Sequence, residues 1–252
     1  PHDSSAPAAE EQTSPVAAIA DTYGQWTDLK IPVKAELAKP KKFSASGTAS
    51  MINGKAINVS FRLLGMEIAA AYADNDSVIV NIKPLGSYYA ESISRFTSDF
   101  GLTLADLQSI LLGRAFVPGK GQITSADAKA FSVSPIEGSE VMLTPKARIK
   151  NTEWFLTADL GDTPCVNGLA VEIKGHKPVL CNMTGQSDTP VGTIASRIQL
   201  RANIQKHDID ASLTLSPSKA EWDNNISIAK PRISKNAKRL SNAQILAILK
   251  KI

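Results

Sequence analysis

A mainly β domain of the α+β class is predicted by three observations. From Thr193 to Gln205 apolar and polar residues alternate almost strictly. Between Phe43 and Ile82 four short segments of strand character are separated by tight turns. Between Tyr88 and Gly113 the apolar spacing widens to every third or fourth residue, before strand-like segments resume as far as Ser216. Side chains alternate across a strand, so the first segment has one dry face and one wet face. A solvated face is tolerated in antiparallel sheets, whereas parallel sheets are usually buried on both sides. What covers the dry face is therefore the functional question.

The elements follow in order. Ser14-Pro15 reads as an N-cap with proline at the first helical position. Val16, Ile19, Tyr23 and Trp26 then recur at helical spacing, which predicts an amphipathic helix over 15–29. Pro32 and Pro40 flank an extended linker, Ile31–Lys42, with an alternation of its own. Asn53-Gly54 is a strong hairpin signal. Before it lies the small, polar Phe43–Met51, and after it Ile57, Val59, Phe61 and Leu63 alternate with polar residues. Glu67–Ala73 and Val78–Ile82 complete a meander around the turn Asp74-Asn75-Asp76. Tyr89, Ile93, Phe96 and Phe100 predict one helix. Thr103 and Asp106 form a capping box for a second, which carries Leu104, Leu107 and Leu111 and ends at Gly113. The second half offers strands at Ala128–Val133, Glu140–Leu143, Glu153–Leu160, Leu169–Ile173, Val179–Met183, Gly192–Gln205 and Asp208–Ser216. Ser241–Gln244 caps a last apolar helix, with Lys250 and Lys251 suited to its C-terminal dipole.

With 252 residues the chain is long enough for one large all-β domain or two small ones. Residues 1–14, rich in Ser, Ala, Pro and Glu, read as a disordered leader or tether, and 15–252 as a single domain. No apolar run is long enough to span a membrane. After Asp223 there is no acidic residue, while Lys230, Arg232, Lys235, Lys238 and Arg239 follow. Such a tail is either solvated or meets phosphates.

Catalytic patterns are missing. His2, His176 and His207 have no metal-ligand spacing with one another or with Cys165 and Cys181. Gly113…Gly119-Lys120 has one residue too many for a phosphate loop, and Gly121 stands where Ser or Thr is needed. Glu67, inside an apolar run, is a carboxyl with a raised pKa, the partner of an Arg such as Arg62, or a strand-edge residue facing water. Cys181 would face about position 170 in a hairpin turning near Gly175-His176, so two free thiols are at least as plausible as a disulfide. The residues therefore point to no enzyme, no metal and no cofactor. With 6 % aromatic residues there is little for nucleic-acid bases to stack on.

In the middle of the chain Arg62-Leu63-Leu64-Gly65-Met66-Glu67 is followed by Asp76-Ser77, Tyr88-Tyr89, Gly101-Leu102 and Leu107-Gln108-Ser109-Ile110-Leu111-Leu112-Gly113. With the later Ala220-Glu221-Trp222-Asp223 and the Pro231–Arg239 tail, this order resembles the domain-of-unknown-function family numbered 4292, lipoproteins of the Bacteroides group of Gram-negative bacteria. The resemblance covers about residues 25–240. That family is similar in fold to the LolA/LolB lipoprotein carriers. The resemblance thus implies a curved antiparallel sheet, an incomplete β-barrel, with helices on its concave face. It also implies a signal peptide and a lipidated cysteine upstream of Pro1, an outer-membrane anchor and a domain in the periplasm. The family has no catalytic residues to carry over.

Together these readings predict a binding module that encloses an apolar cavity for a lipid, a lipoprotein acyl chain or another apolar ligand. Phe61, Leu63, Ile198, Leu200 and Leu213 would line it from strands, and Phe96, Leu107 and Leu111 from helices. The alternative is a structural lipoprotein of an outer-membrane assembly whose helices fill the sheet.

Overall fold

The computed structural model describes residues 13–251 apart from Asp99 and Gln205; the expected leader, through residue 12, lies outside them. Ser14 accepts the Ala17 N–H and caps α1 (Pro15–Ala20). The expected helix over 15–29 stops there, because Gly24 donates its N–H to Val191 at 2.7 Å and a Cβ on it would sit 2.6 Å from that carbonyl oxygen. Tyr23 and Trp26 still pack inward, but from an extended chain.

The supposed linker is a strand, β1 (Asp28–Lys39). Its alternating Leu29, Ile31 and Val33 are buried. An antiparallel meander follows: β2 (Phe43–Ile52), β3 (Ala56–Leu63), β4 (Met66–Asp74), β5 (Ser77–Ile82) and β6 (Ser87–Ser92). Thus Tyr88–Ser92 is strand where a helix was expected, and only α2 (Ser94–Thr97) is helical before Gly101. Then come α3 (Leu104–Leu112) and a small hairpin of β7 (Phe116–Val117) and β8 (Gly121–Gln122).

A second meander contains β9 (Phe131–Pro135), β10 (Glu140–Pro145), β11 (Thr152–Asp159), β12 (Cys165–Ile173), β13 (Val179–Ser187), β14 (Ile194–Ile204) and β15 (His207–Leu215). It returns to the start of the first, with Leu215 opposite Val33 and Ala211 opposite Leu37. Beyond β15, β16 (Glu221–Trp222) continues along the same side of β1, opposite Leu29 and Lys30. Pro32 falls in the gap between these two pairings. Its carbonyl, which accepts Ser216 N–H, points to that side, so the missing proline donor leaves no ladder partner unpaired. The chain ends with β17 (Lys238–Arg239), parallel to β6, and α4 (Asn242–Lys251), whose Ser241–Gln244 capping box forms as expected. The result is one curved, open sheet of fifteen strands, not closed into a barrel.

The two larger apolar cores lie on the inner, helix-bearing face. One joins α1, Phe116 and Trp154 to β11–β14; the other joins α3 and Trp26 to β1–β3. Between them lies Arg114, which has no solvent exposure. Its guanidinium donates to the carbonyls of Thr193, Val191 and Gly24 and to the Gln122 side chain, and stands 5.2 Å from the Tyr23 ring centre. Burial lowers its pKa to about 10.

The outer face of the first meander is crossed by the chain after β16. Thr27 donates its N–H to Asp223, while Asp28 accepts the N–H groups of Asn224 and Asn225. Ile228 then packs on Tyr72 and Ile79, and Lys230 reaches Asp74 at 3.5 Å. The basic tail is therefore partly neutralised, since Arg239 also meets Glu91 at 3.2 Å.

Burial alone would raise the Asp74 carboxyl, but the N–H groups of Asp76 and Ser77 and the hydroxyls of Ser77 and Tyr72 outweigh it, holding the pKa at about 2. A depressed carboxyl stabilises the fold above its unfolded pKa near 4, and this contribution is lost as pH falls through about 2. Asp74→Asn is expected to cost about 2 kcal/mol at neutral pH and nothing at the lowest pH, checked by urea unfolding from pH 7 downwards. Arg114→Met takes the guanidinium donor from the carbonyls of Thr193 and Gly24, while that of Val191 keeps the Gly24 N–H, and is expected to cost about 3 kcal/mol by the same measurement, with Arg114→Lys recovering less than half.

Candidate functional site

The helices are pinned at one end of the sheet. Gln108, in the middle of α3, is buried, and its amide is fully employed: it donates to the carbonyls of Ile52 and Ala56 and accepts the Gly54 N–H at 2.8 Å. This ties α3 to the Asn53-Gly54 hairpin. Asp106 completes the expected capping box with Thr103 and accepts the N–H groups of Gly119 and Gly121, each at 2.7 Å. The glycine loop that superficially suggested a phosphate site thus does cradle an anion, but an internal one. Gly113 ends α3 at φ 65°, and a Cβ there would lie 2.3 Å from that of Ala195, so helix and β14 touch through glycine.

Away from that end the inner face opens, and cross-strand rows show where. Met183, Ile198, Leu213, Ala35 and Ala45 form one row. In it Met183, Ile198 and Ala45 are buried. The next row runs through Cys181, Leu200, Ala211, Leu37 and Phe43. Here Leu200 is 39 % and Phe43 37 % exposed. At β14 and β2 the step from dry core to open apolar surface therefore takes a single row, while at β13 Cys181 stays buried.

The candidates lie on both sides of this boundary. Ile198 is core. Phe61, Leu213, Leu107 and Leu111 are half-buried against the core of α3 and β1–β3. Leu63, on the same side of β3 as Phe61, is 54 % exposed. The side chain of Phe96 lies outside the described residues. Phe43 and Leu37 were missed because Phe43–Met51 reads as small and polar and the preceding segment as a linker. The alternation of Ile31, Val33, Ala35 and Leu37 was the signal available. Gly47, between Val33 and Phe61, keeps this face low: a Cβ would lie 1.9 Å from the Ser60 carbonyl oxygen.

The ionisable groups nearby are structural. Glu67 pairs with Lys83 at 2.8 Å, not with Arg62. On the wet face Arg197 meets Glu36 and Arg201 meets Asp210. Both cysteines are free: Cys181 stands opposite Leu169 and Cys165 opposite Asp159. Burial pushes the Cys181 thiol up to about 11, so it is not a nucleophile at neutral pH. Trp222 is a packing residue, edge-on to Trp26 with ring centres 6.1 Å apart. No helix among the described residues is long and apolar enough to cross a membrane.

Solved structures share this architecture. One is a domain of an outer membrane lipoprotein-sorting protein, by its description, from Vibrio parahaemolyticus; the match covers 91 % of this chain and 94 % of that one, at 8 % identity and a TM-score of 0.51. Another is a protein of the DUF1329 family from Desulfovibrio piger, covering 84 % and 92 % at 10 % identity and a TM-score of 0.51. A LolA superfamily protein from Nitrosomonas europaea aligns over 83 % and 92 % at 8 % identity, with a TM-score of 0.49. At such identities the likeness is one of fold: the chain shares the curved open sheet of the Vibrio and Desulfovibrio domains. No family model and no curated protein matches the chain.

The row boundary has a direct test. Ile198→Ala is expected to cost about 2–4 kcal/mol and Leu200→Ala less than about 1, read from the shift in urea midpoint.

Proposed function

We propose that the protein is a non-enzymatic lipoprotein of the bacterial envelope that holds a lipid or lipoprotein acyl chain on the open part of its inner face. The observation that carries this reading is the apolar surface just beyond the plugged half. Leu200, Phe43 and Leu63 stand exposed there, next to the half-buried Phe61, Leu107, Leu111 and Leu213. A chain laid along it would lose water from both surfaces. Each methylene so buried contributes about 0.8 kcal/mol, so a single acyl chain supplies micromolar binding or better even after its ordering cost. Nothing polar need be recognised, which suits a site with no catalytic group.

The envelope placement rests on two supports. The neighbour from Vibrio parahaemolyticus carries an outer membrane lipoprotein-sorting description. The resemblance to the 4292 family adds a lipidated cysteine upstream of Pro1, with residues 1–14 as tether and the domain in the periplasm. Trafficking of lipids or lipoproteins is the process such a site serves.

Native mass spectrometry of gently purified protein is expected to show a co-purified lipid. A fluorescent fatty acid should bind the stripped protein, and Leu63→Asp should weaken it at least tenfold, because a carboxylate in the path must be desolvated. A clean apo mass together with no fatty-acid binding would sink the proposal, in favour of a structural lipoprotein acting through its outer surface.

A further inference from the structure

In an antiparallel meander successive connections alternate between the two ends of the sheet. One end carries the Asn53-Gly54 turn and the plug of α3. The other is the open end, reached by 40–42, 64–65, 83–86, 146–151, 174–178 and the turn at Lys206. These connections hold nine Lys and Arg residues and no Asp or Glu. At the plugged end, the connections 75–76, 136–139, 160–164 and 188–193 carry Asp76, Glu137, Asp162 and Asp188, while 53–55 and 216–220 carry only Lys55 and Lys219. The open-end connections are thus uniformly cationic, whereas those at the plugged end are mixed.

Some of these cations are met locally, Lys83 by Glu67 and Lys177 by Asp208 at 3.9 Å. The densest group faces a cleft of about 870 Å³ between 146–151 and 174–178. Ile149, Ile173 and Trp154 give it an apolar floor, and Lys146, Arg148 and Lys174 stand on its rim. Glu153 and Glu172, cross-strand partners from β11 and β12, also border it, so its positive character comes from the loops and not from the strands.

The same end projects apolar side chains. Leu64, in the turn between β3 and β4, is 91 % exposed, Met66, the first residue of β4, is 69 % exposed, and Leu85, two strands away, is 53 % exposed. Cations alone would suit any polyanion. A nucleic acid would also need stacking rings, and the turn side chains that project here are aliphatic. Cations and exposed aliphatic tips at the same end of one sheet fit a surface of phosphates over hydrocarbon.

We propose that the open end is a docking face for an anionic lipid bilayer. Phosphates meet the rim at Lys42, Lys146, Arg148, Lys174 and Lys206, while Leu64 and Met66 enter the headgroup layer. The mouth of the apolar inner face then points at the membrane. This face does not depend on a ligand in the groove, so it can fail or stand independently of the proposed function.

The test is sedimentation of the full chain with vesicles of phosphatidylcholine containing about 30 % phosphatidylglycerol, against phosphatidylcholine alone. Binding is expected with the anionic vesicles only, falling steeply with added salt. The triple variant K146E/R148E/K174E, changed at exposed positions, should bind at least about a hundredfold more weakly, since each cation near such a surface is worth about fivefold and each added carboxylate repels it. Leu64→Asp with Met66→Asp should remove the part of the binding that survives salt. The variant K55E/K219E, at the plugged end, should bind as the wild type does. Equal binding to neutral vesicles, no binding to anionic ones, wild-type binding by the triple variant, or tighter binding to duplex DNA would each overturn the proposal.

Discussion

The structure depends on one buried cation. Arg114 lies where the two apolar cores meet, and its fork takes carbonyls from the segment after α1, from the β13–β14 connection and from the first residue before β14. None of its acceptors is charged. A guanidinium is weakly hydrated and carries five donors in a plane, so it can be satisfied by carbonyls where an ammonium would not be. The arrangement fixes two chain segments, the one after α1 and the 188–193 connection, that have no regular structure of their own. α3 and the β7–β8 hairpin are placed through it, and so is the height of the plug above the sheet. Gln108 and Asp106 repeat the device with neutral and negative groups. Thus the plug is held by side chains that saturate backbone, and not by apolar contact alone.

Much of the sheet was legible, because period two survives wherever one face is wet. The strands read over Gly192–Gln205 and Asp208–Ser216 are found at Ile194–Ile204 and His207–Leu215, and the alternation of Ile57 to Leu63 at Ala56–Leu63. Thr103, Asp106 and Gly113 marked both ends of α3 for the same local reasons that hold in the structure. The errors have specific causes. Tyr89 and Ile93 are four apart, and four is a multiple of two as well as nearly one helical turn, so their spacing could not separate β6 from a helix. Residues 15–29 carry a helical pattern, but Gly24 is drawn against Val191, a contact 167 positions away. Prolines hid β1, because the gap that excuses Pro32 exists only once β15 and β16 are in place.

The candidate surface was half legible. Leu107 and Leu111 on α3, and Leu63 and Leu200 on strands, were identifiable as apolar-face residues. Their division into core and open surface was not. Ile198 and Leu200 look alike in the sequence, and differ only in how far the plug reaches over the sheet. Charge distribution behaves in the same way: a net charge of +4 is unremarkable as a sum. It acquires a direction only when topology sends alternate connections to opposite ends.

The central pairing of β1 with β15 also governs how the chain can fold. Each meander is built from neighbours in sequence, so each can form early and locally. The join between them unites Val33 with Leu215, and the clasp of Asp28 on Asn224 and Asn225 closes still later in the chain. Neither can form until nearly the whole polypeptide is available. Contacts this distant belong to topologies that fold on the order of milliseconds to seconds. Until the join forms, two half-sheets each present an unpaired inner edge, of the kind that invites pairing with another chain. A domain wired in this way is vulnerable while it is being made, and a chaperone would be most useful to it in the interval before its first strand meets its last long one.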